Sequence, residues 1–294
     1  MTHSTTFTLI NKQTGHLAFK LFSFNDGGHF DHLQRLNYYS LIWIKEGKGT
    51  LTADFADYPV GDQMLFAFSP YQPFMFQMEG GVSGTVLQFH PDFFCIHKHQ
   101  QEIACHGVLF NNIYQAPYIS VDEHTQRTFE MVLSQIRDEM QTPALAHHDL
   151  LISYLKIFLI TATRQKTGQQ QGAAVEEQEL QEPFILQNLK NYIEVHYKSL
   201  HTASDYAGLL NISPKALAKL AKTHFNKTLT DLIAERIVIE AKRELYLTDK
   251  PVKQIAWELG YEDEYYFSRF FKNRADVSPQ LYRETVGFSR ALAE

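Results

Sequence analysis

Cysteine is nearly absent: Cys95 and Cys105 are the only two in 294 residues. That is too few for a disulfide framework, so the fold must be held by packing. Long apolar runs are missing as well. No stretch reaches the roughly 20 residues that a bilayer-spanning helix requires, so no membrane partner is expected. The opening, MTHSTTFTLINK, lacks a basic segment followed by an apolar core. No secretory signal is therefore expected, and a cytoplasmic location is. An excess of positive charge is lacking too, since the net charge is −6. A chain that coats nucleic acid along its whole surface is excluded by that balance. With 44% hydrophobic and 20% charged residues, disorder is excluded also.

The charge that is present is unevenly placed. Residues 183–294 carry 16 Lys and Arg against 14 Asp and Glu, whereas the remainder carries 11 against 19. Within residues 213–227 there are four lysines, Lys215, Lys219, Lys222 and Lys227, and no acid. The second part is thus a candidate for contact with polyanions, and the first part for another task.

That second part repeats itself. TASDYAGLLNISPKALAKLAK (residues 202–222) and PVKQIAWELGYEDEYYFSRFFK (residues 251–272) share one pattern. An amphipathic helix with a small residue at its middle (Ala207, Ala256) ends near a leucine (Leu210, Leu259). A break follows at a residue that tolerates positive φ, Asn211 or Gly260. A second short helix then carries apolar residues three apart, Leu217 and Leu220 or Phe267 and Phe270, expected to face inward. Helix, sharp turn, helix is the unit whose second helix enters a DNA major groove. Between the copies, residues 228–247 predict one helix of about 30 Å. A rod of that length spaces two readers by nearly one turn of double-stranded DNA.

Upstream, residues 1–121 predict short strands: YYSLIWIK (38–45), LTADF (51–55), QMLFAF (63–68) and TVLQF (85–89), separated by turns at 46–49, 59–62 and 80–84. Such spacing predicts a small sandwich or barrel. Residues 122–165 change to helical period, with Asp122 as N-cap of a first helix and a second over about 147–164. The apolar stripe of the second helix, including Leu151, Leu155 and Phe158, either packs on its own barrel or forms a dimer seam. Residues 166–182 are polar and read as a linker, leaving 183–294 as an all-α domain.

The second repeat contains Ile255-Ala256, Gly260-Tyr261, Tyr266-Phe267-Ser268-Arg269, Phe271-Lys272, and Ser278-Pro279 followed by Tyr282-Arg283. With Ile212-Ser213-Pro214, Leu217 and Lys219-Leu220 in the first, these residues resemble the DNA-binding domain of the AraC/XylS family of bacterial transcription regulators. Ala218 and Ala221 depart from the family pattern, and Asn226 and Asp276 stand where glycine is common after each second helix. Residues 20–120 resemble, more faintly, the cupin-like effector domain of that family, through residues 38–44, Glu46-Gly47-Lys48-Gly49, Gly61-Asp62 and residues 70–74. Phe74 follows Pro73 where metal-binding cupins place histidine, so the usual cupin metal site is incomplete. The resemblance implies a non-enzymatic regulator without a cofactor. It implies two domains, an N-terminal mainly-β cupin-like barrel with appended helices and a C-terminal all-α double helix-turn-helix. It further implies a homodimer, a small-molecule effector and a contact with RNA polymerase.

Helical geometry leaves Lys215, Ala218, Lys219 and Lys222 outward on one recognition helix, and Glu264, Tyr265, Ser268, Arg269 and Lys272 on the other. Arginine bonds guanine O6 and N7 in pairs, and lysine reaches guanine or phosphate. In the β domain, His29 and His32 lie near Tyr38, Trp43 and Phe74, an aromatic set with a few polar groups that suits a small ligand. Cys95, His97, His99 and Cys105, with His106, form one cluster of soft ligands. Its alternation would put Cys95, His97 and His99 on one face of a strand, as a zinc- or copper-responsive site would need. Buried thiols with exposed histidines are the commoner meaning of such a cluster.

Overall fold

The computed structural model describes residues 6–11, 15–54, 56–103, 107–176 and 184–286. The chain divides into two compact units, Met1–Asn112 with Pro117–Val175, and Glu176–Glu294 with Ile113–Ala116.

The first unit holds nine strands among the described residues: β1 (Phe7–Ile10), β2 (Leu17–Phe24), β3 (Tyr39–Glu46), β4 (Gly49–Ala53), β5 (Ala56–Val60), β6 (Met64–Phe68), β7 (Phe74–Met78), β8 (Ser83–Phe89) and β9 (Tyr118–Ser120). They form two antiparallel sheets, one in the order β1-β2-β8-β3-β6-β9 and one in the order β5-β4-β7. The strands expected at 38–45, 51–55, 63–68 and 85–89 correspond to β3, β4, β6 and β8. Residues 59 and 60, expected in a turn, instead lie in β5. Pro59 is tolerated because β5 is an edge strand, where a missing N–H breaks no ladder.

Period-two alternation gives the large sheet two different faces. Leu41, Trp43, Leu65, Leu87 and Phe89 join the core formed with helices α2 (Glu123–Gln141) and α3 (His147–Glu176), which follow the short α1 (Gln100–Ile103). Trp43 packs edge-on to Phe129 at 5.5 Å, and Phe129 stacks on Phe158 at 4.1 Å. The intervening residues face the small sheet: Phe68 stacks on Phe74 at 3.9 Å, and Phe66 meets Phe76 edge-on at 5.1 Å.

Asp122 caps α2 as expected, its carboxylate accepting from the Thr125 N–H at 2.8 Å. Two expectations for α3 are corrected. The helix continues to Glu176, through the first part of the stretch read as a linker, because Gln and Ala there are adequate helix formers. Residues 177–182 lie outside the described residues. Leu151, Leu155 and Phe158 are fully buried in the unit's own core, so they are not available as a dimer seam.

The second unit is all-α: α4 (Phe184–His196), α5 (Ala203–Leu209), α6 (Pro214–Phe225), α7 (Leu229–Leu247), α8 (Val252–Glu258), α9 (Glu264–Ala275) and α10 (Pro279–Val286). Its core gathers Leu189, Ile193, Tyr206, Leu217, Leu232, Ile237, Leu245, Ile255, Phe267 and Tyr282. Tyr114 also belongs to this unit, its hydroxyl donating to Glu194 Oε1 at 3.0 Å and its ring lying 5.8 Å from Phe225. A domain beginning at residue 183 therefore omits Ile113–Ala116, which no local signal in the chain marks as part of this unit.

Candidate functional site

The two repeats superpose in their local bonding. In each, the N–H after the turn closes back on the first helix, Ile212 to the Ala207 carbonyl at 3.1 Å and Tyr261 to the Ala256 carbonyl at 2.9 Å. Each second helix then starts at a capping side chain, Ser213 accepting from the Ala216 N–H and Asp263 from the Tyr266 N–H. The second turn is one residue longer, which is the only difference in spacing. Both second helices end in left-handed caps, Asn226 (φ 55°) and Asp276 (φ 60°), so these residues take the conformation a glycine would.

The inward rows differ from expectation. Leu217, Ala221 and Phe225 are buried on α6, and Phe267, Phe271 and Ala275 on α9, while Leu220 and Phe270 are half-buried. The spacing is i, i+4, not i, i+3, because each helix packs along one row of side chains over three turns. Even so, Lys215, Ala218, Lys219 and Lys222 on α6, and Tyr265, Arg269 and Lys272 on α9, are exposed. Glu264 and Ser268 are half-buried on the same side of α9. Asp263, though exposed, is occupied as a cap, its carboxylate accepting from the Tyr266 N–H at 2.7 Å.

Two other cations are already engaged. Lys227 is buried and donates to Glu235 at 2.7 Å, so it is not a phosphate contact. Removing it would leave a buried carboxylate without its partner. Arg274 donates to Asp231 at 2.7 Å, joining the end of α9 to the start of α7. Burial works against the Asp231 carboxylate, but bonds from Thr228 and Arg274 hold it below the usual range. Along α7, Glu240 accepts from Arg236 and Arg243 at 3.2 and 2.7 Å, and those bonds likewise outweigh burial and keep it ionised. These pairs brace the helix that separates the two readers. At 19 residues, α7 is about 28 Å long.

The residues suggested for a small ligand do not come together. Trp43 faces the helices and donates its indole N–H to Gln63 Oε1 at 3.1 Å. Phe74 faces the other way, into the space between the sheets. His29 stacks near Phe22 at 5.6 Å, next to that space. His32 is exposed and paired with Asp31 at 2.9 Å, and Tyr38 is half-buried, with its hydroxyl pKa raised by desolvation. Strand parity sends Trp43 to the helix side of the large sheet, whereas Phe74 lies on a strand of the small sheet. Sequence reasoning missed Ser40 and Gln88, two polar side chains buried on the inter-sheet face and directly opposite each other in register. A buried polar residue among Val and Leu was the signal that could have found them. Gln88 Nε2 donates to Ser40 Oγ at 3.4 Å, and Gln88 Oε1 has no hydrogen-bond partner among the described residues. Leaving such a group unpaired costs about 1–3 kcal/mol.

The soft-ligand cluster is corrected in form. Residues 96–99 are turns and Cys95 lies outside any strand; Cys95 is buried, its carbonyl accepts from the His99 Nδ1–H at 2.9 Å, and the His99 ring stacks on Phe94. Cys105 and His106 lie outside the described residues. Among the described residues no three His, Cys, Asp or Glu side chains are grouped to hold a metal ion. No helix among them is long and apolar enough to cross a membrane.

Comparison with known proteins agrees with the repeat. A family described as "Helix-turn-helix domain" matches residues 206–285. Regulatory protein SoxS of Escherichia coli is 32% identical over 102 residues, which are 35% of this chain and 95% of SoxS. The raffinose operon transcriptional regulatory protein RafR of Pediococcus pentosaceus is 33% identical over 97 residues, 33% of this chain and 35% of RafR. The match thus spans about a third of RafR. The HTH-type transcriptional regulator YfiF of Bacillus subtilis is 22% identical over 270 residues, 89% of this chain and 81% of YfiF. With two helix-turn-helix units on one bracing helix, and SoxS matched along nearly its whole length, the chain belongs to the AraC family of helix-turn-helix transcription regulators.

Proposed function

We propose that the chain controls transcription in the bacterial cytoplasm by binding duplex DNA through α6 and α9 as a homodimer, with a small molecule sensed by the N-terminal unit, and that it is not an enzyme. One observation carries the reading: two exposed recognition faces of the same design, bearing Lys215, Lys219 and Lys222, and Tyr265, Arg269 and Lys272, are joined by a rod near the pitch of B-DNA. RNA polymerase is the partner that a promoter-bound regulator would meet. Mapping the chain's genomic binding sites tests the reading. A single recurrent sequence supports it, and uniform occupancy sinks it.

Salt dependence tests the same reading without the operator. Five exposed cations remain on α6 and α9 once Lys227 and Arg274 are set aside. With some facing bases, about three to four phosphate contacts per protomer are expected, and a log–log slope of roughly −3 to −4. Lys222→Ala should flatten that slope by about one unit and weaken all sequences alike. Affinity that barely responds to salt would remove the electrostatic basis of the interface. Arg269→Ala, in contrast, is expected to cost about 1–3 kcal/mol on the specific site and little on random duplex. Equal losses on both would make Arg269 a phosphate contact.

For the dimer, the exposed side of α3 replaces the buried one. Leu150 and Ile157 are 37% and 44% exposed and, with half-buried Tyr154 between them, form an i, i+4, i+7 stripe. Ile157→Glu is expected to halve the sedimenting mass while leaving the thermal melt intact. A variant that stays dimeric moves the seam elsewhere.

A further inference from the structure

Counted from the capping residues Ser213 and Asp263, the outward positions of α6 and α9 correspond one to one. Pro214 matches Glu264, Lys215 matches Tyr265, Ala218 matches Ser268, Lys219 matches Arg269 and Lys222 matches Lys272. The two faces share a shape and differ in chemistry. On α6 these positions hold ammonium groups and apolar side chains, with no acceptor for the amino groups of adenine or cytosine. Its other exposed polar groups, Thr223 and His224, lie in the last turn, away from the N-terminal residues that meet base edges. An ammonium is a point charge that takes phosphate as readily as guanine, so it separates one base from another poorly. On α9 the same positions hold a carboxylate, two hydroxyls and a guanidinium fork, a set with both acceptors and donors.

Charge divides in the same way. Between Asp205 and Asp231 the chain carries four lysines and no acid, and only Lys227 among them is buried in an ion pair. The entry to α9 instead carries Glu262, Asp263 and Glu264, against Arg269 and Lys272 further along. Acids at that entry repel phosphate, whereas the lysines of α6 attract it.

We infer that the two recognition helices divide the labour: α6 grips the DNA backbone, and α9 reads the bases. This rests on the reading of the chain as a regulator of duplex DNA, and names which part of its site carries the sequence information. Each half-site then has one conserved major-groove segment, under α9, beside a segment of free sequence under α6.

The test selects binding sequences for the full-length chain from a randomised duplex library, then measures affinity for the selected duplex and for a scrambled one. One conserved segment per half-site is expected, repeated or inverted if the chain binds as a dimer. Replacing Lys215 and Lys219 together by alanine should weaken both duplexes alike, keeping the ratio of their affinities within about twofold, and should flatten the salt dependence. Arg269→Lys keeps the charge and loses the fork, so it should spare the scrambled duplex and lower the ratio at least about fivefold. All three positions are exposed, so folding is not at stake. Two unlike conserved segments a helical turn apart, or a ratio that falls as far in the lysine variant as in Arg269→Lys, overturns the division and makes α6 a base reader. A ratio that survives Arg269→Lys overturns it from the other side. Either result leaves the regulator reading standing. Selection that enriches no sequence would sink that reading, and the division with it.

Discussion

Replacing Leu151 and Leu155 together by glutamate is expected to unfold the N-terminal unit, not to produce a folded monomer. Both leucines are fully buried on the side of α3 that packs with Phe129, Val132 and Ile136 of α2 and with the large sheet. Truncating one such leucine alone typically costs about 2–5 kcal/mol. Glutamate adds the cost of placing a carboxylate among apolar neighbours, so the pair should remove more than about 5 kcal/mol, comparable with the whole stability of an ordinary domain. The measurement is a thermal melt followed by near-ultraviolet circular dichroism, with Ile157→Glu alongside. Loss of the signal in the double variant and its retention in Ile157→Glu would separate the buried face from the exposed one. A double variant that melts normally would show that α3 is turned the other way.

Gly260→Val should have the next largest effect, and should be confined to the second helix-turn-helix unit. Gly260 sits at φ +82°, where a β-branched residue is a genuine outlier. A Cβ there would drive into the Lys198 carbonyl oxygen, with the His201 ring close behind. That ring in turn stacks on Tyr261 at 4.8 Å, so the turn has no slack on either side. Strain and displacement together should cost more than about 3 kcal/mol. The expected readout is loss of specific DNA binding by more than about a hundredfold, with α6 still folded by amide exchange. Asn211→Ala at the corresponding turn should be mild, about 1–2 kcal/mol, since only the left-handed backbone is at stake. Equal effects at the two turns would refute the packing assigned to Gly260.

Much of the DNA-reading unit was legible because its signals are local. Ser213 and Asp263 cap helices three residues on, Asn226 and Asp276 close them, and Thr228 starts α7, each by bonds within a single turn. The repeat added a check, since two independent stretches gave the same helix, turn and helix. The inward rows were less legible. Apolar residues three and four apart both suit a helix, and packing against α7 selected the i, i+4 row.

The sequence by itself determined strands β3, β4, β6 and β8, the helices of the repeat with α7 between them, and the outward cations of α6 and α9, because these follow from chain-local geometry and from which residues water will accept. Tertiary structure alone decided which stripe of α3 is buried, which face of β3 meets the helices, and which cations are already paired. A helix broad in apolar residues offers two faces of similar hydrophobicity, and only the shape of its neighbour selects one. Trp43 and Ser40 differ by three positions, and strand parity sends them to opposite sides of one sheet. Lys227 and Arg274 look like phosphate contacts until Glu235 and Asp231 are found beside them, eight and 43 residues away in the chain. The pairing of Gln88 with Ser40, 48 residues apart, has the same origin. Contacts between residues distant in the chain exist only once the sheets and helices have closed, so no local pattern carries them.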